Sequence, residues 1–255
     1  MLKYIHIVLA VTLIVIGFII SVFVAIIPSF FMLLFKKERA YLYWMRLNGT
    51  NISRLILWSL RVNVIVEGKE NIPEDNQRVC FVSNHQSMLD IPLVLASLRI
   101  WPGFITKSEL KKVPILNSWI KAMNSVYIDR KSPRSSLQAI IKGSDNIKKG
   151  IPMFIFPEGT RSKTGELGKF KTGSLKLATK AKATIVPITI EGSALALERK
   201  TGIKRTTVHV SVAKPIESAS LDEQGIKELP LVVFGSIEKQ FKKFNDSTVA
   251  ENVKS

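Results

Sequence analysis

From Ile5 to Phe35 the chain carries no Lys, Arg, Asp or Glu, and His6 is the only ionisable side chain in the run. Such a stretch must leave water, either into lipid or against protein. Ile5 to Ile27 alone is 23 residues, about 35 Å as a helix, which exceeds the roughly 30 Å apolar thickness of a bilayer. Pro28 interrupts it, and "SFFMLLF" then runs into the charged "KKER". A cleaved signal peptide fits poorly, because the run is too long and no A-x-A site closes it. Two membrane readings stay open: one spanning helix, or a helix, a break at Pro28 and a second helix held in one leaflet. Lys36, Lys37 and Arg39 follow the run, against Lys3 and the amino terminus before it. The positive-inside tendency then places the rest of the chain in the cytoplasm, on the cytoplasmic (inner) membrane. Residues 40–61 mix aromatics, Leu and Arg as an interfacial helix does. Residues 1–61 are therefore expected to be a membrane-anchoring helical segment, and residues 62–255 a globular domain.

Beyond residue 61, strand-like and helix-like stretches alternate. "VNVIVEG", "VCFVSN", "GFITK", "VYIDR", "IPMFIF", "ATIVPITI" and "TTVHVSVAK" read as strands. Helical patterns fall between them, and an amphipathic helix runs from Leu221 to about Phe244. This alternation predicts an α/β fold with a mixed, mostly parallel sheet covered by helices. Cys80 is the single cysteine. It excludes an internal disulfide and reads as a small buried apolar residue.

The net charge is +17. Residues 103–182 hold 17 Lys and Arg against 5 Asp and Glu. Such a field suits an anionic partner, and a merely solvated basic surface is the alternative. Nucleic acid is disfavoured: aromatics are 8%, and no zinc spacing or nucleic-acid motif is present. Three histidines, one of them in the apolar run, also argue against a metal hydrolase.

In parallel sheets, functional groups gather at the carboxyl ends of strands. "NHQSMLD" follows "VCFV", Lys107 ends "GFITK", Arg130 ends "VYIDR", and "PEGTRS" follows "MFIF". Five positions apart, His85 and Asp90 do not share a helical face. A turn holding His85 ahead of a helix over residues 88–98, with Asp90 in its first turn, would let the carboxylate reach back to the imidazole. That contact fixes the tautomer and supports a general base. The alternative is an aspartate that only caps a helix. In "FPEGTRS", Gly159 permits close backbone approach and Arg161 can grip a phosphate with two parallel hydrogen bonds. Lys107 and Arg130 are further cations for a phosphate, or solvated charges. Ser87 lacks a nucleophile-elbow pattern and is expected to shape the turn.

Four blocks in order, "NHQSMLD", "KSELKKVP…VYIDR", "FPEGTRS" and "IVPI", resemble the glycerolipid acyltransferase family, in particular its bacterial 1-acyl-glycerol-3-phosphate acyltransferases. The resemblance implies transfer of a fatty acyl group from a thioester, on acyl-carrier protein or coenzyme A, to the sn-2 hydroxyl of lysophosphatidic acid. No cofactor or metal is implied. It also implies that His85 is the general base and that Asp90 orients it. Glu158, Gly159 and Arg161 then form the acceptor-binding block, with Arg161 and Lys107 on the phosphate. Arg130 closes the second block, and Pro187 belongs to a block associated with the acyl donor. Expected partners are lysophosphatidic acid, anionic phospholipid and the acyl thioester, with no nucleic acid. Other acceptors, glycerol-3-phosphate or another lysophospholipid, and a non-enzymatic anionic-lipid binder remain as alternatives. Similar sequences usually have glycine where this chain has Asn117 and Asn124. Asparagine tolerates left-handed backbone, so the same turns are expected, with a changed wall for the acyl pocket.

Overall fold

A computed structural model describes residues 2–21, 23–24, 27–74, 78–162, 164–200 and 205–253. Among them, eight strands form one sheet in the order β1-β7-β6-β2-β5-β3-β4, with β8 beside β6. The strands are β1 (Val62–Glu67), β2 (Val79–Ser83), β3 (Gly103–Lys107), β4 (Val126–Ile128), β5 (Met153–Ile155), β6 (Thr184–Glu191), β7 (Thr206–Val212) and β8 (Ile216–Glu217). Five neighbours, β6-β2-β5-β3-β4, are mutually parallel. β7 and β8 meet β6 antiparallel, and β1 runs parallel to β7. The fold is thus the mixed, mostly parallel α/β sheet that the alternation predicts.

All five residues of β2 are buried, which explains why its sequence is continuously apolar rather than alternating. Val79 and Phe81 face one core with Leu57, Leu93 and Phe104. Cys80 and Val82 face the other, with Ile147, Leu177 and Leu229. Burial pushes the Cys80 thiol well up, so it behaves as an apolar residue. Pro187 can sit inside β6 because its missing N–H falls where β8 ends and β7 begins. Its carbonyl accepts from Ala213 N at 2.9 Å on that same side.

The helices follow their punctuation. α6 (Pro133–Lys148) starts after Ser132, whose hydroxyl accepts from Ser135 N, and ends before Gly150 at φ 79°. α5 (Pro114–Ala122) has proline in its first turn. α4 (Asp90–Leu93) continues into a π-helical turn, Val94–Leu98. α7 (Lys176–Lys180) and α8 (Ser193–Ala196) are short, and α9 (Glu223–Val253) closes the chain. Asn124 takes the left-handed turn, at φ 53°. Asn117 corrects the parallel expectation. It lies within α5, and its Oδ1 accepts a short hydrogen bond from the Tyr127 hydroxyl, so it is a side-chain anchor and not a turn residue.

The apolar run folds as α1 (Leu2–Ser21) and α2 (Ile27–Leu34), both against α3 (Glu38–Ser59). At Gly17 the α1 backbone comes so near α3 that a Cβ would lie 2.7 Å from Leu55 Cδ2. Trp44 Nε1 donates to Val24 O at 2.9 Å, and Ser29 Oγ lies 3.3 Å from the Met45 sulfur. The opposite surface is bare: Val8, Ile19, Phe23, Phe30, Phe31 and Phe35 are all more than half exposed. Among the described residues, no helix is long and apolar enough to cross a membrane. The side chains of Lys3 and His6 lie outside the described residues. Leu57 and Leu60, around the end of α3, join the core beneath the sheet, so this helix is continuous with the domain that follows.

Candidate active site

Because β6, β2, β5, β3 and β4 are parallel, their carboxyl ends share one edge of the sheet. The His85 turn leaves β2 there. His85 Nδ1 lies 2.7 Å from Asp90 Oδ2. The same oxygen accepts the backbone N–H groups of Gln86 (2.8 Å) and Ser87 (3.0 Å). Asp90 is fully buried, and its other oxygen accepts Ser193 Oγ at 2.6 Å. A buried carboxylate is costly unless its lone pairs are filled, and here the fold supplies four partners. Asp90 opens α4, but its carboxylate binds residues ahead of the helix, so it is not a cap that merely happens to face a histidine. With Nδ1 taken, Nε2 is the ring nitrogen left for a reacting hydroxyl.

The next strand, β5, delivers "FPEGTRS". Phe156 stacks on the imidazole, with ring centroids 4.0 Å apart and planes 17° apart. It continues an aromatic row through Phe154 to Phe81, so the ring is braced by the core itself. Glu158 Oε1 accepts His85 N–H at 2.8 Å, and Ser162 N–H donates to His85 O at 2.8 Å. Both ends of the His85 residue are thus fastened to this second turn. Burial raises the Glu158 carboxyl above the usual carboxylate range, opposed by hydrogen bonds from the His85 and Gly168 backbones and by the nearby imidazole. Gly159 stands at φ 72°, and a Cβ there would come within 2.8 Å of the Lys171 ammonium. The lysine tip could swing aside, so it is the left-handed backbone that favours glycine here.

Cations line the same edge. Lys107 is the last residue of β3 and is exposed. Arg130 follows β4 by two positions. Burial lowers its guanidinium, Glu109 opposes that, and Arg161 adds to it by like-charge repulsion. Arg130, after β4, and Arg161, after β5, are thus near enough to repel one another across β3. Arg161 Nη1 meets Glu198 Oε1 at 3.2 Å.

The fold brings His85, Asp90 and Glu158 into one hydrogen-bonded cluster, with Gly159 and Arg161 on the same turn as Glu158 and with Lys107 and Arg130 at the ends of the strands beside it. It does not bring Pro187 there. That residue is buried within β6, in register with Val82, three positions before His85 on the neighbouring strand. Ser87 shapes the turn as expected: its hydroxyl accepts from Leu89 N–H at 3.0 Å. Three residues escaped the motif reading. Phe156 opens the block "FPEGTRS" already singled out, but its ring has no role in that reading. Ser193 follows the end of β6, where the strand-end rule could have found it. Glu198 carries no local signal, since its partners Ser87 and Met88 lie 111 and 110 positions away in the chain. Among the described residues, no group of three or more His, Cys, Asp or Glu could hold a metal ion.

A family model described as Acyltransferase matches residues 63–191, half of the chain. In sequence, a chloroplastic 1-acyl-sn-glycerol-3-phosphate acyltransferase of Arabidopsis thaliana is 37% identical over 62% of this chain and 44% of its own. A 1-acyl-sn-glycerol-3-phosphate acyltransferase of Saccharomyces cerevisiae is 35% identical over 66% of this chain and 56% of its own. The chain thus spans about half the length of the curated relatives it matches. In structure, the crystallographic 1-acyl-sn-glycerophosphate (LPA) acyltransferase PlsC of Thermotoga maritima superposes with a TM-score of 0.71. It is 27% identical, and the match covers 92% of this chain and 95% of that one.

Proposed function

This chain belongs to the acyltransferase family, and from that premise we propose that it acylates the sn-2 hydroxyl of lysophosphatidic acid, giving phosphatidic acid for phospholipid synthesis. The observation that carries the reading is the His85–Asp90 pair, with Nε2 left over, on a sheet edge lined by Arg161, Lys107 and Arg130. A base beside a row of cations suits an acceptor with one hydroxyl to activate and one phosphate to hold.

In the proposed reaction, Nε2 of His85 takes the proton of the acceptor hydroxyl as its oxygen attacks the thioester carbonyl. Asp90 stabilises the resulting imidazolium and keeps the ring oriented. The tetrahedral intermediate collapses, the C–S bond breaks, and the imidazolium returns its proton to the leaving thiolate. The new ester and a free thiol of acyl-carrier protein or coenzyme A result, with no acyl-enzyme and no cofactor. Arg161 grips the acceptor phosphate, aided by Lys107 and Arg130. Glu158 and Gly159 hold the turn that carries it. Pro187, inside its strand, acts on the site only by shaping β6.

The bare apolar surface of α1 and α2 is the proposed membrane contact. Exposed apolar area of that extent marks an interaction surface, and here residues 1–61 would rest the mouth of domain 62–255 on the cytoplasmic face of the inner membrane. The basic mouth would be drawn to anionic phospholipid, by about 1 kcal/mol per well-placed Lys or Arg. The direct test is purified full-length protein in detergent micelles, given lysophosphatidic acid with acyl-coenzyme A or acyl-carrier protein, and read by product mass. Phosphatidic acid that disappears with His85→Ala supports the reading. Absence of product from the wild type with both donors overturns it.

A further inference from the structure

Between the two turns lies a carboxylate that none of the four sequence blocks contains. Glu198 follows α8 on a strap that is tied down just beyond it. Arg199 N donates to Ala194 O at 2.7 Å, and Lys200 Nζ donates to Leu60 O at 2.9 Å. Glu198 Oε2 accepts Ser87 Oγ at 2.6 Å. Oε1 accepts Met88 N–H at 2.9 Å and Arg161 Nη1 at 3.2 Å. A hydroxyl, a backbone N–H and a guanidinium form the donor set that a phosphate oxygen would also take. The Glu198 side chain is 33% exposed and that of Arg161 46%. The ion pair is therefore reachable from water and weak enough to exchange.

We infer that Glu198 is an internal occupant of the acceptor's phosphate seat, a residue that sets how tightly acceptor and product are held. The inference rests on the reading above that Arg161 grips that phosphate. With the seat filled by one negative charge, an incoming group must out-compete a carboxylate that is tethered and already in place. A phosphate monoester brings two charges near neutral pH and three oxygens. A phosphodiester brings one charge and two oxygens, so its advantage over the carboxylate is small. The displaced side chain moves into solvent, which it already faces. Displacing Glu198 costs every headgroup the same free energy, so the carboxylate raises the affinity that any occupant needs, and the monoester, with the greater intrinsic affinity, is the one that meets it. Glu198 also speeds departure of the product, which carries the same phosphate, by returning to the seat.

The test uses full-length wild type, Glu198→Gln and Glu198→Asp in detergent micelles. Glutamine keeps one acceptor oxygen, for Ser87 or Met88, and loses the charge that holds Arg161. Inorganic phosphate probes the seat alone, through the dissociation constant fitted to the logarithmic rise of unfolding temperature with phosphate concentration. If the seat is filled about nine-tenths of the time, freeing it lowers that constant on the order of ten-fold. KM for lysophosphatidic acid and the inhibition constant of phosphatidic acid should fall with it. The ratio of kcat/KM for lysophosphatidic acid and lysophosphatidylglycerol should stay unchanged, because the cost of displacing Glu198 is common to both. Glu198→Asp, with a shorter reach, should lie between, and it serves if glutamine impairs folding. Phosphate bound no more tightly by either variant than by wild type overturns the inference. Tighter phosphate binding by the variants, with no acyl transfer to lysophosphatidic acid by any form, upholds the seat and overturns the acceptor reading.

Discussion

The turns after β2 and β5 stand side by side on parallel strands, yet they are built to opposite standards. Around Asp90 every contact points inward: a fully buried carboxylate, four partners, and an imidazole braced on Phe156. Around Arg161 the charge points outward, nearly half exposed, with Glu198 as its ion-pair partner. The difference follows from the tasks proposed for them. A base must present one nitrogen in one direction, so its support is worth burying. An anion grip must open for each substrate and release each product, so its contacts stay in water and remain exchangeable.

Breaking the rigid half should cost most. His85→Ala is expected to lower kcat by roughly 10²–10⁴-fold, the scale of a lost general base. Asp90→Asn should fall in the same range while far-ultraviolet circular dichroism stays native. Near-normal turnover in either variant would remove the pair from the chemistry. Breaking the exchangeable half should act mainly on binding. Arg161→Ala is expected to raise KM for lysophosphatidic acid about ten- to hundred-fold, matching the roughly 1.5–3 kcal/mol of hydrogen bonds to a charged group. KM for the acyl donor should change far less, and Arg161→Lys should recover only part, since an ammonium cannot form the fork. Equal shifts in both constants would place Arg161 elsewhere.

Ser193 sharpens the contrast, because it acts only through Asp90. Ser193→Ala strands one oxygen of a buried carboxylate and should cost about 1–3 kcal/mol in urea unfolding. Turnover should fall as well, and Ser193→Thr, which keeps the hydroxyl, should restore both. Stability lost with kcat intact would reduce Ser193 to packing. The smallest effect concerns Glu158. Its folded-state carboxyl holds its proton to higher pH than in the unfolded chain. The native state thus binds more protons between those two values, and stability contributed at low pH declines as pH rises through the raised one. Glu158→Gln should flatten that decline in a series of urea titrations across the window above the ordinary carboxylate range. An unchanged slope would mean that the charge on Glu158 is already fully compensated.

Much of this was legible because one rule, that parallel strands deliver their cargo at their carboxyl ends, needs only strand positions. "VCFV", "GFIT", "VYI" and "MFIF" are readable as strands, and their exits named His85, Lys107, Arg130 and the Glu158 turn. The adjacency of β2 and β5 was not readable, since strand order is set by tertiary packing. Asn117 shows the same limit at small scale: a residue tolerant of a left-handed turn is helical here, because Tyr127 on the adjoining strand claims its side chain. Ser193 and Glu198 meet their partners across more than 100 residues of sequence, and no local pattern encodes a contact at that range.

The double fastening of His85, from Glu158 to its N–H and from its carbonyl to Ser162, has a consequence for how such chains diverge. Neither turn can drift alone. A substitution that shifts the backbone between Glu158 and Ser162 drags the imidazole with it, so its damage is repairable only by a matching change near His85. Grafting the second turn from a relative should therefore succeed when the first is grafted too, and fail when transplanted singly, even where every individual residue is acceptable in its new place.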